Sequence, residues 1–302
     1  MVTRRTFLLG ALGTAVLAAG GSAVSIDDGL LPGRARLAEL TGACDVDAVP
    51  VAGPVGAITS GQFASSARGR DVGWSLAVPP GHTAANLPVT LILHGRGGDH
   101  STGFAQLKLH RFLAAYTRAG GIPFALAAVD GGDGYWHPRN SGGNPLGMLT
   151  QEFLPMLNKM GLRTDTIGLL GWSMGGYGAL LVAREANRGT LPAASGRTTV
   201  VAAAASSPAL FGSYHASASG AFDSAADFAK YGELASQPDT GKTALWVGCG
   251  ATDAFTEQTR RYRAYASPLP AGSIAKGCHT VGYWRSVAAD QISFIGSHLA
   301  AN

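Results

Sequence analysis

From about residue 60 onward, short apolar runs rich in β-branched residues alternate with longer segments whose apolar positions recur at helical spacing. The runs at 71–78 (DVGWSLAV), 89–95 (VTLILHG), 124–130 (FALAAVD), 166–172 (TIGLLGW), 198–205 (TTVVAAAA) and 244–250 (ALWVGCG) read as strands. Several are continuously apolar, the form taken by strands covered on both faces. Helical patterns fall between them at about 103–118, 146–160, 175–188, 254–266 and 284–299. This alternation predicts an α/β architecture, a mostly parallel, doubly wound sheet with helices on both faces and short right-handed crossovers. Residues 26–60 show little periodicity and are expected to form an irregular N-terminal extension wrapping the surface. The stretch at about 209–243 is too long for a plain crossover and carries Phe211, Tyr214, Phe222, Phe228 and Tyr231, which predicts a small cap-like insertion.

Composition narrows this picture. With 46% hydrophobic and 14% charged residues over 302 positions, the chain can bury one large core, and residues 61–302 are read as a single domain. Residues 1–25 stand apart. They have a basic start, an apolar run from Phe7 to Ala19 and small residues beyond it, the form of an export signal. Arg4-Arg5 followed by Thr6-Phe7-Leu8 resembles the twin-arginine type, so the expected location is secreted, periplasmic or associated with the cell envelope. Without that arginine pair the net charge falls from +4 to +2, and the other basic residues are scattered, so nucleic acid is not an expected partner. Three cysteines in an exported chain permit one disulfide.

The candidate chemistry centres on Gly171-Trp172-Ser173-Met174-Gly175. It fits G-x-S-x-G and lies directly after one buried strand and directly before a helix, where a sharp turn would lift Ser173 clear as a nucleophile. A serine hydroxyl needs a histidine base and a carboxylate to fix the base's tautomer. Of the downstream histidines, His215 has only mid-helix Glu185 between it and Ser173, and His298 sits in the last turn of a helix. His279 lies in the loop GCHTVGYW before the final helix, so it is the expected base. Asp253, in GATDAF just after the strand at 244–250, is the expected acid, with helix capping as a second role.

A tetrahedral intermediate also needs N–H donors for its oxyanion. The backbone N–H of Met174 and that of Arg96, in the glycine-rich loop LHGRGGD at 93–99, are the expected pair, and the Arg96 side chain is a candidate substrate contact. His94, Asp99 and His100 in the same loop lack a clear fourth ligand, so no metal and no cofactor are expected. The loop 129–143 should reach the same rim, making Asp130, Tyr135, Trp136, His137 and Arg139 candidate substrate contacts. Trp172 and Trp284 flank the expected nucleophile and base in sequence and join that set, although tryptophans so placed more often pack than touch a ligand.

Together GWSMGGYGAL, LHGRGG, GATDAF and GCHTVGYW resemble the esterase D-like branch of the α/β-hydrolases, which includes the antigen 85 mycolyltransferases. The resemblance covers about residues 60–300 and implies an α/β-hydrolase fold with Ser173, Asp253 and His279 as triad and Met174 and Arg96 as oxyanion donors. It implies a serine esterase acting on an ester partner, an acylated sugar or lipid, with acyl transfer to a hydroxyl as the alternative. His94-Gly95 opens the oxyanion loop where the mycolyltransferases carry an acidic residue, which favours the plain esterase. Cys249 and Cys278 end neighbouring predicted elements beside Asp253 and His279 and form the expected disulfide, with Cys44 able to take either place. Oligomeric state is not expressed in these patterns.

Overall fold

The computed structural model describes residues 41–50, 52–191, 198–234 and 241–301, so the expected export signal and residues 26–40 of the expected extension lie outside it. All six expected strands form. They are β2 Arg70–Ala77, β3 Pro88–Leu93, β4 Ala125–Val129, β5 Arg163–Trp172, β6 Thr199–Ser206 and β7 Ala244–Gly250. Two more were not expected, β1 Ile58–Ser65 and the two-residue β8 Ile274–Ala275. The eight make one sheet in the order β1-β2-β4-β3-β5-β6-β7-β8. The pairs β1–β2 and β2–β4 are antiparallel, and the remaining pairs are parallel.

Every residue of β3 and β4 is buried, which is why those runs are apolar without alternation. Successive side chains of a strand face opposite ways, and the core accordingly divides into two layers. Val89, Leu91 and Leu93 of β3 join one layer, whereas Ile92 joins the other. The first layer is closed by a helical run at 145–159 (α2) and by α3 Met174–Arg188; the second by α1 Leu109–Arg118 and α7 Ala288–Ala300. Further helices are α4 Ala225–Tyr231, α5 Thr256–Tyr265 and α6 Val281–Ser286.

The helix expected over 103–118 is two pieces, Thr102–Ala105 and α1, because Lys108 takes a left-handed conformation (φ 58°) between them. The helix expected over 284–299 likewise divides at Val287, between α6 and α7. What this architecture gives the site is a common edge. The parallel strands β3, β4, β5, β6 and β7 all end on the same side of the sheet, and the loops leaving them are close enough to share a catalytic centre.

Candidate active site

Ser173 sits at the turn from β5 into α3 with φ 54° and ψ −122°, a conformation a side-chain-bearing residue adopts only under constraint. The constraint comes from both flanks. A Cβ at Gly171 would overlap the Gly175 carbonyl, and a Cβ at Gly175 would overlap the Leu93 carbonyl. The Ser173 N–H donates to Ser206 O at 3.0 Å, and its carbonyl accepts from Tyr177 N (3.0 Å) and Ala209 N (2.9 Å). The backbone is therefore fixed while the hydroxyl stays half-exposed.

His279 Nε2 lies 2.8 Å from Ser173 Oγ, and its Nδ1 lies 2.8 Å from Asp253 Oδ2. The Asp253 side chain is 0% exposed and that of His279 is 31% exposed. The other carboxylate oxygen, Oδ1, accepts the Phe255 N–H at 2.8 Å, while the Asp253 carbonyl accepts from Thr256 N–H and Oγ1. Asp253 thus closes a local turn before α5, whose N-cap position is Phe255 and not Asp253 as expected, and faces His279 at the same time. Two aromatic rings hold the imidazole. The Trp284 ring meets it edge-on at 5.1 Å, and Phe255 tilts against it at 5.3 Å.

Gly95 places the second loop. A Cβ there would come within 2.9 Å of Trp172 Nε1 and 3.4 Å of Ser173 Cβ, so the backbone after β3 passes directly beside Ser173. A turn closed by Gly98 N–H to Gly95 O (3.0 Å), with Gly97 N–H donating to Asp133 Oδ1 (2.7 Å), holds Arg96 at that point. The first N–H groups of α3 have no partner within their helix and are aimed toward the same side. Gly95→Ala should therefore push this loop off the nucleophile and cost about a hundredfold in kcat, the scale of one lost oxyanion donor. A variant with unchanged kcat would dissociate this loop from the chemistry.

No protein-family model matches the chain, and no curated protein matches it either. Solved structures do. The chain is similar to a ferulic acid esterase (TM-score 0.66, 17% identity, covering 80% of this chain and 98% of that one). It is similar to an S-formylglutathione hydrolase from Agrobacterium tumefaciens (TM-score 0.65, 12% identity, 83% and 98%). It is similar also to an α/β-hydrolase enzyme from the metagenome of Lake Arreo, Spain (TM-score 0.64, 17% identity, 90% and 91%). The fold is that of the α/β-hydrolases.

Within this α/β-hydrolase fold, the loop after β4 does not do what its sequence promised. Trp136 and His137 are 0% exposed and Tyr135 is 3% exposed, so they offer a ligand almost no surface. Trp136 packs against Gly131 and Gly178 and donates from Nε1 to His94 O. The His137 ring stacks on Tyr231 (4.8 Å) and Phe222 (5.3 Å). Both Asp130 oxygens are taken by backbone, from Gly73 N–H and His100 N–H. Arg139 grips Asp223 and the Gly220 carbonyl, and Arg96 reaches Ser219 O at 3.0 Å. Tyr135, His137, Arg139 and Arg96 thus clamp the segment after β6 onto the body, Asp130 and Trp136 brace the loops after β3 and β4, and Trp172, 2% exposed, is core.

The segment so clamped, described over 209–234, does approach the site. Phe211 touches Tyr135 (5.9 Å), Phe222 (6.3 Å) and Phe255 (5.6 Å), and Phe255 touches His279, which makes an aromatic chain from the cap to the base. Phe211 was expected in the cap, whereas Phe255 was not singled out from sequence. The signal available for Phe255 was its place two residues after Asp253.

His94 is a positioning group. It is 1% exposed, its Nε2 accepts the Gly131 N–H (2.9 Å) and its Nδ1 donates to Gly95 O (2.8 Å), which ties the oxyanion-side loop to the loop after β4. Those bonds require the neutral ring, and burial pushes its pKa down, as it does for His110 and His137. An unfolded histidine takes a proton below about pH 6.5, so acid favours the unfolded chain by as much as ~1.4 kcal/mol per pH unit for each of the buried rings His94 and His137, and by less for the part-exposed His110. Glu233, pushed up to about 7 by burial, acts the other way but is a single group. Urea unfolding free energy should accordingly fall between about pH 7.5 and 5.5, and a flat profile would contradict the neutral His94.

The expected Cys249–Cys278 disulfide is corrected. Cys278 is bonded to Cys44, and Cys249 is a buried free thiol. The register explains it. β8 pairs Cys249 with Ile274, which leaves Cys278 beyond the end of the sheet and within reach of the N-terminal segment. Burial pushes the Cys249 thiol up to about 12, so it is not a competing nucleophile.

Proposed function

We propose that the chain is a serine hydrolase that cleaves carboxylic esters. The observation that carries this reading is His279 standing at 2.8 Å from both the Ser173 hydroxyl and the Asp253 carboxylate. Ser173 Oγ attacks the ester carbonyl as His279 Nε2 takes its proton, and the Met174 and Arg96 N–H groups receive the oxyanion. Collapse expels the alcohol, which leaves with the proton from His279, and the acyl group stays on Ser173. A water, deprotonated by the same ring, attacks the acyl-enzyme and frees the acid. Asp253 keeps Nδ1–H oriented toward itself throughout, so that Nε2 is the basic nitrogen.

The substrate class is an ester of an acylated sugar or lipid, with Phe211, Phe255 and Trp284 as the apolar wall beside the base. A ferulic acid esterase among the structural neighbours makes aromatic acyl esters part of the first screen. Delivery is proposed through the twin-arginine signal at 1–25, ending secreted, periplasmic or at the cell envelope, and a disulfide suits those oxidising compartments. The test is turnover of aryl esters of graded acyl length, with and without trehalose as added acceptor. Free acid as the product in both cases supports the hydrolase, whereas acylated trehalose would replace it with an acyltransferase. No turnover of any ester, alongside retained sugar binding, would leave only a binding protein on this fold.

A further inference from the structure

The N-terminal segment that the sequence left as irregular extension is bound to both sides of the His279 loop. On one side, Cys44 is bonded to Cys278, the residue immediately before His279. Val46 fills the space beside two glycines of the same loop. A Cβ at Gly277 would meet its side chain at 3.2 Å, and one at Gly282 would overlap its carbonyl. On the other side, Arg285 in α6 makes a two-point ion pair with Asp47, Nε to Oδ1 at 2.8 Å and Nη2 to Oδ2 at 2.5 Å. Ala48 then packs on the layer that holds Trp284. The sheet edge and the acid loop hold the approach to this loop through Cys249 N–H to Ser273 O (3.1 Å), Ala251 N–H to Ala275 O (2.6 Å) and Thr252 N–H to Gly277 O (3.0 Å), and that ladder stops at Gly277, before Cys278 and His279.

We infer that residues 44–48 form a strap that positions His279, so that turnover depends on the Cys44–Cys278 bond being intact. This rests on the triad reading above and adds a regulation to it. Cys44, Val46 and Asp47 are positioning residues: they touch the loop that carries the base and not the reacting atoms. An external dithiol would break the S–S bond, leaving thiols on Cys44 and Cys278 and itself oxidised to a cyclic disulfide. The strap would then hold through Val46, Ala48 and a surface ion pair, and such pairs are weak alone. A displacement of His279 by about 1 Å is enough to cost on the order of a hundredfold, because the proton transfer depends on its contact with Ser173 Oγ.

The experiment compares purified oxidised protein, the same protein after dithiothreitol, and the Cys44→Ser variant, with near-UV circular dichroism as the check on folding. The expected result is a kcat lower by about tenfold or more in the reduced and Cys44→Ser forms, with KM changed by less than about twofold. Reoxidation restores the wild type and leaves Cys44→Ser unaffected. A folded, reduced protein that keeps kcat within about twofold of the oxidised form overturns the strap. Turnover that survives Ser173→Ala overturns the triad reading beneath it, a separate outcome visible in the same assay. If reduction unfolds the chain, Asp47→Lys serves instead, since it keeps the bridge but sets two cations face to face. A lowered kcat at constant KM supports the strap there, and unchanged kcat removes it.

Discussion

Replacing either Ser173 or His279 by alanine is expected to lower kcat by about a million-fold, and replacing both to lower it no further. The expectation follows from the geometry of the pair. Ser173 Oγ and His279 Nε2 are 2.8 Å apart, and each is useless to the reaction without the other. A serine without its base stays protonated at neutral pH, and a base without its serine has no acyl acceptor to activate. Losses that act through one shared proton transfer cannot add, so the double variant should match the singles. What activity remains would come from the oxyanion loop and from substrate binding. Steady-state rates on one aryl ester for the three variants check this. Single losses of only a few fold, or a double loss equal to their product, would mean the two residues work independently and that the catalytic centre lies elsewhere.

Asp253→Asn is expected to cost about ten-thousand-fold in kcat while barely moving KM or the thermal midpoint. The amide is nearly the same size, and its oxygen can still accept the Phe255 N–H that Asp253 Oδ1 accepts at 2.8 Å. Its NH2 group then faces His279 Nδ1, where the carboxylate oxygen now stands at 2.8 Å. Two donors cannot share that bond, so the ring must present a bare Nδ1 and carry its proton on Nε2. Nε2–H cannot accept from Ser173. The reversed amide fares no better, since it would aim NH2 at the Phe255 N–H. Rates and melting curves measured on the same preparation separate this tautomer effect from a loss of folding. A loss below about tenfold would indicate that Asp253 serves the turn before α5 alone.

The parts of the site legible in the sequence were those marked by punctuation. Glycines at 171 and 175, a buried strand before Ser173 and a helix after it fix one turn geometry, and the chain order of serine, acid and base left few partners to choose from. The six expected strands were legible because they are buried on one or both faces. β1 was not, since ITSGQFAS is exposed along most of its length and carries no alternating apolar face, and β8 is too short to leave a pattern. The break at Lys108 had neither glycine nor proline to announce it.

The residues of the loop after β4 misled for a different reason. Arginine, tryptophan and histidine near a catalytic edge read as substrate contacts, but here the same chemistry fastens a second segment, with Arg139 on Asp223 and His137 between Phe222 and Tyr231. Pattern along one segment cannot say what another segment will press against it. The disulfide was hidden in the same way. Cys44 belongs to a stretch without periodicity, and only the fold brings it to Cys278.

The central claim is that Ser173 is the atom source of a covalent acyl-enzyme. It is tested most directly by treating the protein with a fluorophosphonate, digesting it, and locating the added mass by peptide sequencing. The account predicts a single modified residue, Ser173, with labelling abolished in Ser173→Ala and greatly slowed in His279→Ala. Label on any other residue, or undiminished label on the Ser173→Ala protein, would contradict it.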